Sequence, residues 1–301
     1  MIYDLKLRLT YDYANPAVGG RHVVCLRPLD LACVQRVISA SVTVDPPPED
    51  WLQRLDFFDN NVAEFSFRGP HDHVDVLLHA RIERLLPPLT LAPSALMTDL
   101  PDQIARSRAM GPQSPLHFLS PSNRVPIDPA MTRFAQTAIT PGMTVAEAFK
   151  AIGTALHNHM RFDSKATTVD TPAAKAFAQR RGVCQDFSHI MIACLRGIGV
   201  PAGYVSGFLR TDPPPGKPRL DGADAMHAWV RAWAGDDLGW IEYDPTNDMA
   251  AQADHIVVAY GRDYADVAPI KGTLRMSGRQ KSHQAVDVIP VPEPVPARVQ
   301  T

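Results

Sequence analysis

Residues 181–209, RGVCQDFSHIMIACLRGIGVPAGYVSGFL, are the stretch around which this 301-residue chain is interpreted. Apolar residues recur there at three- and four-residue spacing, which is typical of a helix with one face in a core. They are Phe187, Ile190, Met191, Cys194, Leu195 and Ile198. Gly199 and Pro201 predict the end of this helix. Cys184 therefore falls at the helix N-terminus, where free backbone N–H groups and the helix dipole favour a thiolate.

Composition and charge narrow the classes of function. The chain is 45% apolar and carries a net charge of -2, which gives no electrostatic basis for binding nucleic acid or an anionic membrane. It contains no run of about 18 apolar residues and no secretory signal pattern at its N-terminus. Four cysteines without CxxC spacing suit a reducing compartment, so we expect a cytoplasmic protein. A disulfide between Cys25 and Cys33 stays open as an alternative.

The first 88 residues are predicted to form an antiparallel β region. Tyrosine and leucine occupy every second position from Tyr3 to Tyr13, which is the alternation of a half-buried strand. Further strands are predicted at 22–29, 34–44, 62–68 and 73–84, with turns at 14–16, 46–48 and 59–61. Residues 89–129 are rich in proline and are expected to be a connector with one short helix near 97–104.

The remainder, residues 130–290, is expected to be one catalytic unit, followed by a frayed tail at 291–301. A capping box at Thr144 and Glu147 predicts a helix over 145–160, and a shorter helix is expected at 172–180. After the Cys184 helix the pattern changes to strands. They are predicted at 202–210, 225–233, 240–243, 255–260 and 272–290.

A cysteine nucleophile needs a base and an orienting carboxylate, and one hairpin supplies both. If the Gly- and Asp-rich residues 234–239 close a hairpin, Trp233 lies opposite Trp240 and His227 lies diagonally beside Asp244. His189 is on the Cys184 helix itself, but its position about 140° round the axis turns it away from the thiol.

Several other residues have structural interpretations. Cys194 lies in the apolar stripe and is expected in the core, and Asp186 is expected to complement the dipole of the first helical turn. Trp229 and Trp240 are expected to pack around the site and to keep water out. His71 and His73 share a strand face without a third ligand, so neither a metal site nor a cofactor is predicted.

The motifs resemble the transglutaminase-like superfamily. Its pattern is matched by GVCQDF at 182–187, LRGIGVPA at 195–202, HAW at 227–229 and DPT at 244–246. Residues 261–269 and Arg27-Pro28 resemble a bacterial branch with its own N-terminal β region. The resemblance implies an α+β fold, in which a papain-like core with a Cys-bearing helix on an antiparallel sheet follows an N-terminal antiparallel β domain.

The resemblance also implies roles for residues. Cys184 would be the nucleophile, His227 the general base and then acid, and Asp244 the group that orients the imidazole. The Cys184 N–H is one expected oxyanion donor, and Gln185 is a candidate for lining the site. Related sequences have an aromatic hydroxyl where this chain has Phe162, which cannot donate, so the second donor is unassigned.

The expected activity is hydrolysis of an amide bond in a peptide or protein through a thioester. Transfer of the acyl group to an amine is the alternative, and a binding module on the same fold is a third reading. The sequence does not indicate the oligomeric state.

Overall fold

The computed structural model describes residues 1–85, 92–211, 222 and 224–292. Within them the helices are α1 Leu100–Arg106, α2 Pro129–Ala138, α3 Val145–His159, α4 Ala173–Gln179, α5 Cys184–Gly197 and α6 Tyr264–Val267, with a 3-10 turn at Pro115–Phe118. The strands are β1 Ile2–Val24, β2 Gln35–Asp45, β3 Asp50–Leu55, β4 Asn61–Arg84, β5 Arg161–Phe162, β6 Arg181–Gly182, β7 Ala202–Leu209, β8 Ala225–Trp233, β9 Trp240–Asp244, β10 Met249–Ala250, β11 His255–Gly261, β12 Ile270–Arg275 and β13 Gln280–Val291.

The N-terminal sheet is antiparallel and is built around β1. On one edge β1 pairs with β4, and on the other it pairs first with β13 and then with β12. Tyr3, Leu5 and Leu7 are buried, while the charged residues between them face outwards. The alternation of apolar and polar residues therefore predicted this strand correctly, because one face of the sheet is buried and the other faces solvent.

One of the three expected turns, at residues 14–16, is absent from this sheet. β1 continues through residues 14–16, with a register shift between Asp12 and Ala17. Pro16 is tolerated there because an irregular position needs no ladder hydrogen bond. The predicted strands at 62–68 and 73–84 are likewise one strand, β4, while β3 and α2 were not predicted.

The second sheet carries the Cys184 helix. Its order is β10-β9-β8-β7-β11, all antiparallel, and α5 packs on β7 and β8. The apolar stripe of α5 is buried, as its spacing indicated, and α2 and α3 pack on the same helix. Gly199 follows with φ +83°, a conformation that favours glycine just beyond a helix end. The predicted α+β arrangement is confirmed.

Buried polar side chains join the two sheets. Gln35 Nε2 donates to the carbonyls of Leu29 and Val257 at 2.7 and 2.8 Å, and its Oε1 accepts from Val257 N at 2.9 Å. Asn60 Nδ2 donates to Tyr260 O at 2.7 Å, and Tyr260 N donates back to Asn60 Oδ1 at 2.8 Å. These bonds give hydrogen-bond partners to the backbone N–H and C=O groups of Val257 and Tyr260 in β11, where the N-terminal sheet covers that strand.

The last described strands, β12 and β13, belong to the first sheet rather than to the second. β12 and β13 pair with β1, so residues 270–291 differ from their expected place in a catalytic unit spanning 130–290. The predicted strand at 272–290 is two strands. Residues 293–301, most of the expected tail, lie outside the described residues. No helix among the described residues is long and apolar enough to cross a membrane.

Candidate active site

Cys184 is the first residue of α5 and is partly exposed. Asp186 caps this helix: its Oδ2 accepts from Val183 N at 2.8 Å and from Thr167 Oγ1 at 2.6 Å. Burial raises the pKa of Asp186, and these two hydrogen bonds only partly counter that rise. A Cβ on Gly182 would lie 2.7 Å from the Asp186 Cβ, so only glycine fits before the cap. Asp186 therefore has the structural role expected from the sequence.

The β8–β9 hairpin has the predicted register. Trp233 pairs with Trp240, and Val230 pairs with Tyr243. The turn is closed by Gly235 and Gly239, whose φ angles of +109° and +71° favour glycine. As a result His227 Nε2 lies 2.6 Å from Asp244 Oδ2.

The His227 imidazole also contacts the thiol. Burial lowers the pKa of His227, but its hydrogen bonds with Asp244 and Cys184 outweigh that effect and raise the pKa to about 10. Since Nε2 is engaged with Asp244, Nδ1 is the nitrogen left for Cys184. The structure thus brings Cys184, His227 and Asp244 together, in the order expected of a thiol site.

Asp244 is completely buried and is held as a carboxylate by several donors. Its Oδ2 accepts from His227, from Asn247 Nδ2 at 2.7 Å and from His255 Nε2 at 3.3 Å. Its Oδ1 accepts from the backbone of Thr246 at 2.9 Å and of Asn247 at 3.2 Å. Burial alone would raise the pKa of Asp244, but the hydrogen bonds hold it well below its usual value.

The composition of this cluster raises the question of a metal ion. The ligand atoms of His227, Asp244 and His255 lie within 4.8 Å of one another. Oδ2 of Asp244 already accepts from both histidines and from Asn247, so a cation at this oxygen would have to displace those donors. The geometry therefore fits a hydrogen-bonded cluster better than a metal centre.

Of the two tryptophans expected near the site, only Trp229 is there. Its ring stacks on His227 with centroids 6.1 Å apart, and its Nε1 donates to Glu242 at 2.7 Å. Trp240 lies at the other end of β9 and donates to Gln113 O at 2.9 Å. It packs on the connector instead, about four residues, or 13 Å, along the strand from Asp244.

The two remaining candidates lie beside the helix start. Gln185 Nε2 donates to Val169 O at 3.1 Å, which holds the loop next to Cys184. Phe162 pairs with Gly182 across β5 and β6, and its ring is largely exposed. Phe162 has no side-chain donor, and one of the two N–H groups of Gln185 Nε2 is used in the bond to Val169.

Sequence reasoning missed Tyr204 and His255. The Tyr204 ring, buried on β7, lies 5.2 Å from His189. Burial raises the pKa of Tyr204 well above its usual value, and negative charge at Cys184 adds to this, so its hydroxyl stays protonated near the thiol. His255 begins β11, and its Nε2 lies 3.3 Å from Asp244 Oδ2. No local pattern marks either residue, since both contacts depend on how strands are ordered in the sheet.

The four cysteines are free thiols of different kinds. Cys25 and Cys194 are buried, and burial raises the pKa of each to about 12. Cys33 is exposed, and no bond joins it to Cys25. Cys194 is therefore a core residue, as expected.

A thiol at a helix N-terminus, opposite an imidazole and carboxylate on an antiparallel sheet, defines the class of papain-like α+β proteins. Within that class the family is shown by comparison with known proteins. The profile of the transglutaminase-like superfamily matches residues 132–245, and that of the bacterial transglutaminase-like N-terminal region matches residues 3–83. The chain belongs to this superfamily.

The chain is also similar to curated relatives and to a solved structure over most of its length. An uncharacterized protein of Mycobacterium tuberculosis is 34% identical over 96% of this chain and 92% of its own length. One from Mycobacterium leprae is 32% identical over 89% of this chain and 91% of its own. The fold is similar to a crystal structure titled "Putative Cysteine Protease from Cytophaga hutchinsonii", with a TM-score of 0.75, 20% identity, and coverage of 98% and 92% of the two chains.

Proposed function

We propose that this protein is a thiol-dependent hydrolase of amide bonds in peptides or proteins. The observation that carries the proposal is the imidazole of His227, which is 2.6 Å from the buried carboxylate of Asp244 and whose pKa is raised by both Asp244 and Cys184. Such an imidazole takes the proton of the thiol and keeps it within reach of a leaving group.

The reaction would proceed in two stages. The Cys184 thiolate attacks the amide carbonyl, and the imidazolium of His227 gives its proton to the departing amine, which leaves a thioester on Cys184. Water, deprotonated by His227, then attacks the thioester, releases the acid and restores the thiol. Asp244 stabilises the imidazolium in both stages without taking the proton itself.

The oxyanion would be held at the start of α5. The N–H groups of a first helical turn have no intrahelical acceptor, so that of Cys184 is suited to the developing charge. We place the activity in the cytoplasm, because all four cysteines are free thiols.

The test is to incubate the protein and its Cys184→Ala variant with a diverse peptide mixture and a primary amine, followed by mass spectrometry. We expect cleaved peptides with wild type only. Amine adducts in place of cleavage would show acyl transfer, and unchanged peptides would show neither chemistry.

Thiol reactivity provides a second readout that needs no substrate. Cys184 should react with iodoacetamide near neutral pH far faster than Cys25, Cys33 or Cys194, and in His227→Ala it should lose its advantage over exposed Cys33. Cys33 is exposed with φ 61°, so Cys33→Asn, which tolerates that conformation, removes its background labelling. Equal labelling of all cysteines would contradict the enzymatic proposal and favour a binding module.

A further inference from the structure

We propose that His255 is a positioning residue of this site, which fixes the orientation of Asp244 toward His227 and connects the site to the N-terminal sheet. The inference rests on the proposed function, since it concerns the same thiol. It goes beyond a Cys–His–Asp triad, because a second histidine would be needed for the first to work.

The protonation of His255 follows from its neighbours. Gln252 N, a donor, lies 3.2 Å from Nδ1, so Nδ1 must be the acceptor. The proton of the neutral ring is therefore on Nε2, which faces Asp244 Oδ2 at 3.3 Å. His255 is fully buried. The Trp229 ring packs edge-on against its imidazole with the ring centroids 5.1 Å apart, so the packing holds the imidazole in one orientation.

This donor affects His227 through Asp244. A carboxylate without solvent contact depends on every donor it has, and Oδ2 is the oxygen shared by His227 and His255. Without the His255 N–H, Asp244 would be easier to protonate or rotate. The imidazolium of His227 would then be less stable, and with it the thiolate that the imidazolium accompanies.

The N-terminal sheet holds the loop from which His255 projects. Arg84 of β4 is buried, and its Nη2 donates to Gln252 O at 3.0 Å. Tyr3 of β1 donates to Asp254 at 2.7 Å. Side chains of the first sheet thus bind the loop that sets the His255 tautomer at two points, Gln252 and Asp254, which connects that sheet to the chemistry of the second.

Other ionisable groups near the cluster bear on any pH measurement. Those described around it include Arg84, Cys184, Asp186, Tyr204, His227, Glu242, Tyr243, Asp244, Asp248, Asp254 and Tyr260. All of them are retained in variants at position 255, so a changed pH profile reports the substitution there.

The experiment compares His255→Gln with His255→Leu in the Cys33→Asn background. Glutamine can place an N–H near the position of Nε2, and leucine cannot donate at all. The rate constant for alkylation of Cys184 by iodoacetamide is measured from pH 5 to 10, together with the thermal unfolding of each variant. We expect His255→Leu to react about tenfold more slowly at neutral pH, with its profile moved to higher pH, and His255→Gln to recover most of the rate.

The outcomes separate the two proposals. A folded His255→Leu protein with the wild-type profile would overturn the role of His255, while wild-type Cys184 no more reactive than Cys33 would overturn the proposed function. Nitrogen NMR of the wild-type histidine rings adds a measurement that does not depend on folding of a variant. We expect the Nε2–H tautomer at His255, and an Nδ1–H tautomer would contradict the proposal.

Discussion

His227 is shared between two partners that both favour its protonated form. Asp244 faces Nε2 at 2.6 Å, and Cys184 takes the other side of the ring. The carboxylate is buried and supplied with donors, so its charge is permanent, whereas the thiolate disappears when an acyl group is attached. The imidazolium should therefore be more stable before the reaction than in the thioester, where a neutral imidazole is needed to activate water.

This asymmetry can be measured in a variant without sulfur. In Cys184→Ala, the loss of the hydrogen bond and of the negative charge should lower the pKa of His227 from its raised value of about 10, while Asp244 still supports it. NMR titration of the histidine rings measures the change. Cys194→Ala, in the core of the same helix, is the matched control and should leave the titration of His227 where it is in wild type.

A His227 titration that does not respond to Cys184→Ala would show that thiol and imidazole do not interact in solution. The mechanism proposed above would then lack its base.

The sequence was sufficient for the central residues of the site and not for their surroundings. Cys184, His227 and Asp244 could be predicted because a helix start and a two-strand register are local features that can be counted along the chain. His255 could not, since β11 reaches the cluster from a different place in the sheet. Trp240 was misplaced because sharing a strand with Asp244 says nothing about distance along it.

At the scale of elements, α5 contains a histidine, His189, that its buried surroundings keep in the neutral protonation state. His189 is buried, and its Nε2 accepts the backbone N–H of Tyr264 at 3.1 Å, so the ring is neutral. Burial lowers the pKa of His189 to about 4, and the opposing charge of Asp263 does not offset it. The helix that carries the thiol is thus bound to α6 by a histidine that must not be protonated.

The pH dependence of stability follows from that pKa. The unfolded chain binds a proton at this histidine below about pH 6.5 and the folded chain only below about pH 4. The contribution of His189 to stability is therefore complete above pH 6.5 and is lost as the pH falls toward 4, by about 3 kcal/mol. In His189→Gln, whose side-chain oxygen can accept the same N–H, this part of the acid loss should be missing.

Urea unfolding of wild type and His189→Gln at pH 7, 5.5 and 4 measures this loss of stability. His73→Gln is the control, because hydrogen bonding to Asp72 raises the pKa of exposed His73 and its removal cannot lessen the acid loss. An equal loss of stability in His189→Gln and wild type would contradict the assignment.

The boundaries of elements were predicted best where alternation or helical spacing was long. The first part of β1, and α3 and α5, have such patterns and agree with the structure to within a few residues. Turn residues within long strands were misleading: residues 14–16 were expected to end a strand, and a local irregularity absorbs them instead. β3 escaped prediction because all six of its residues are exposed, so no buried face imposes a pattern.

At the scale of the molecule, the last described strands complete the first sheet. Val286 and Val288 of β13 have no solvent exposure and lie in the same core as Leu5 and Leu7 of β1, which they pair with directly. No local signal in the sequence shows that β13 pairs with a strand almost the whole chain away, which is why the second unit was expected to extend to residue 290.

Removing these strands should therefore unfold the N-terminal sheet. A chain that ends at Ala268 loses β12 and β13. Burial of the two valines alone contributes about 3 to 6 kcal/mol to the free energy of unfolding, which is typically about 5 to 15 kcal/mol in total. We expect no cooperative thermal transition by circular dichroism. A chain that ends at Pro292 keeps both strands and should melt with the full-length protein, and a cooperative transition at that same temperature in the shorter chain would contradict the expectation.

The pairing of Ile2 with Val291 places the two ends of the described chain on neighbouring strands, about 5 Å apart. A short peptide joining them would leave the ladder between β1 and β13 unchanged, and new termini could be opened at exposed Gly111, where no other atom lies within 4 Å of an added Cβ. The order in which the strands follow one another along the chain is then not required for the tertiary structure. A circular permutant is compatible with the same fold.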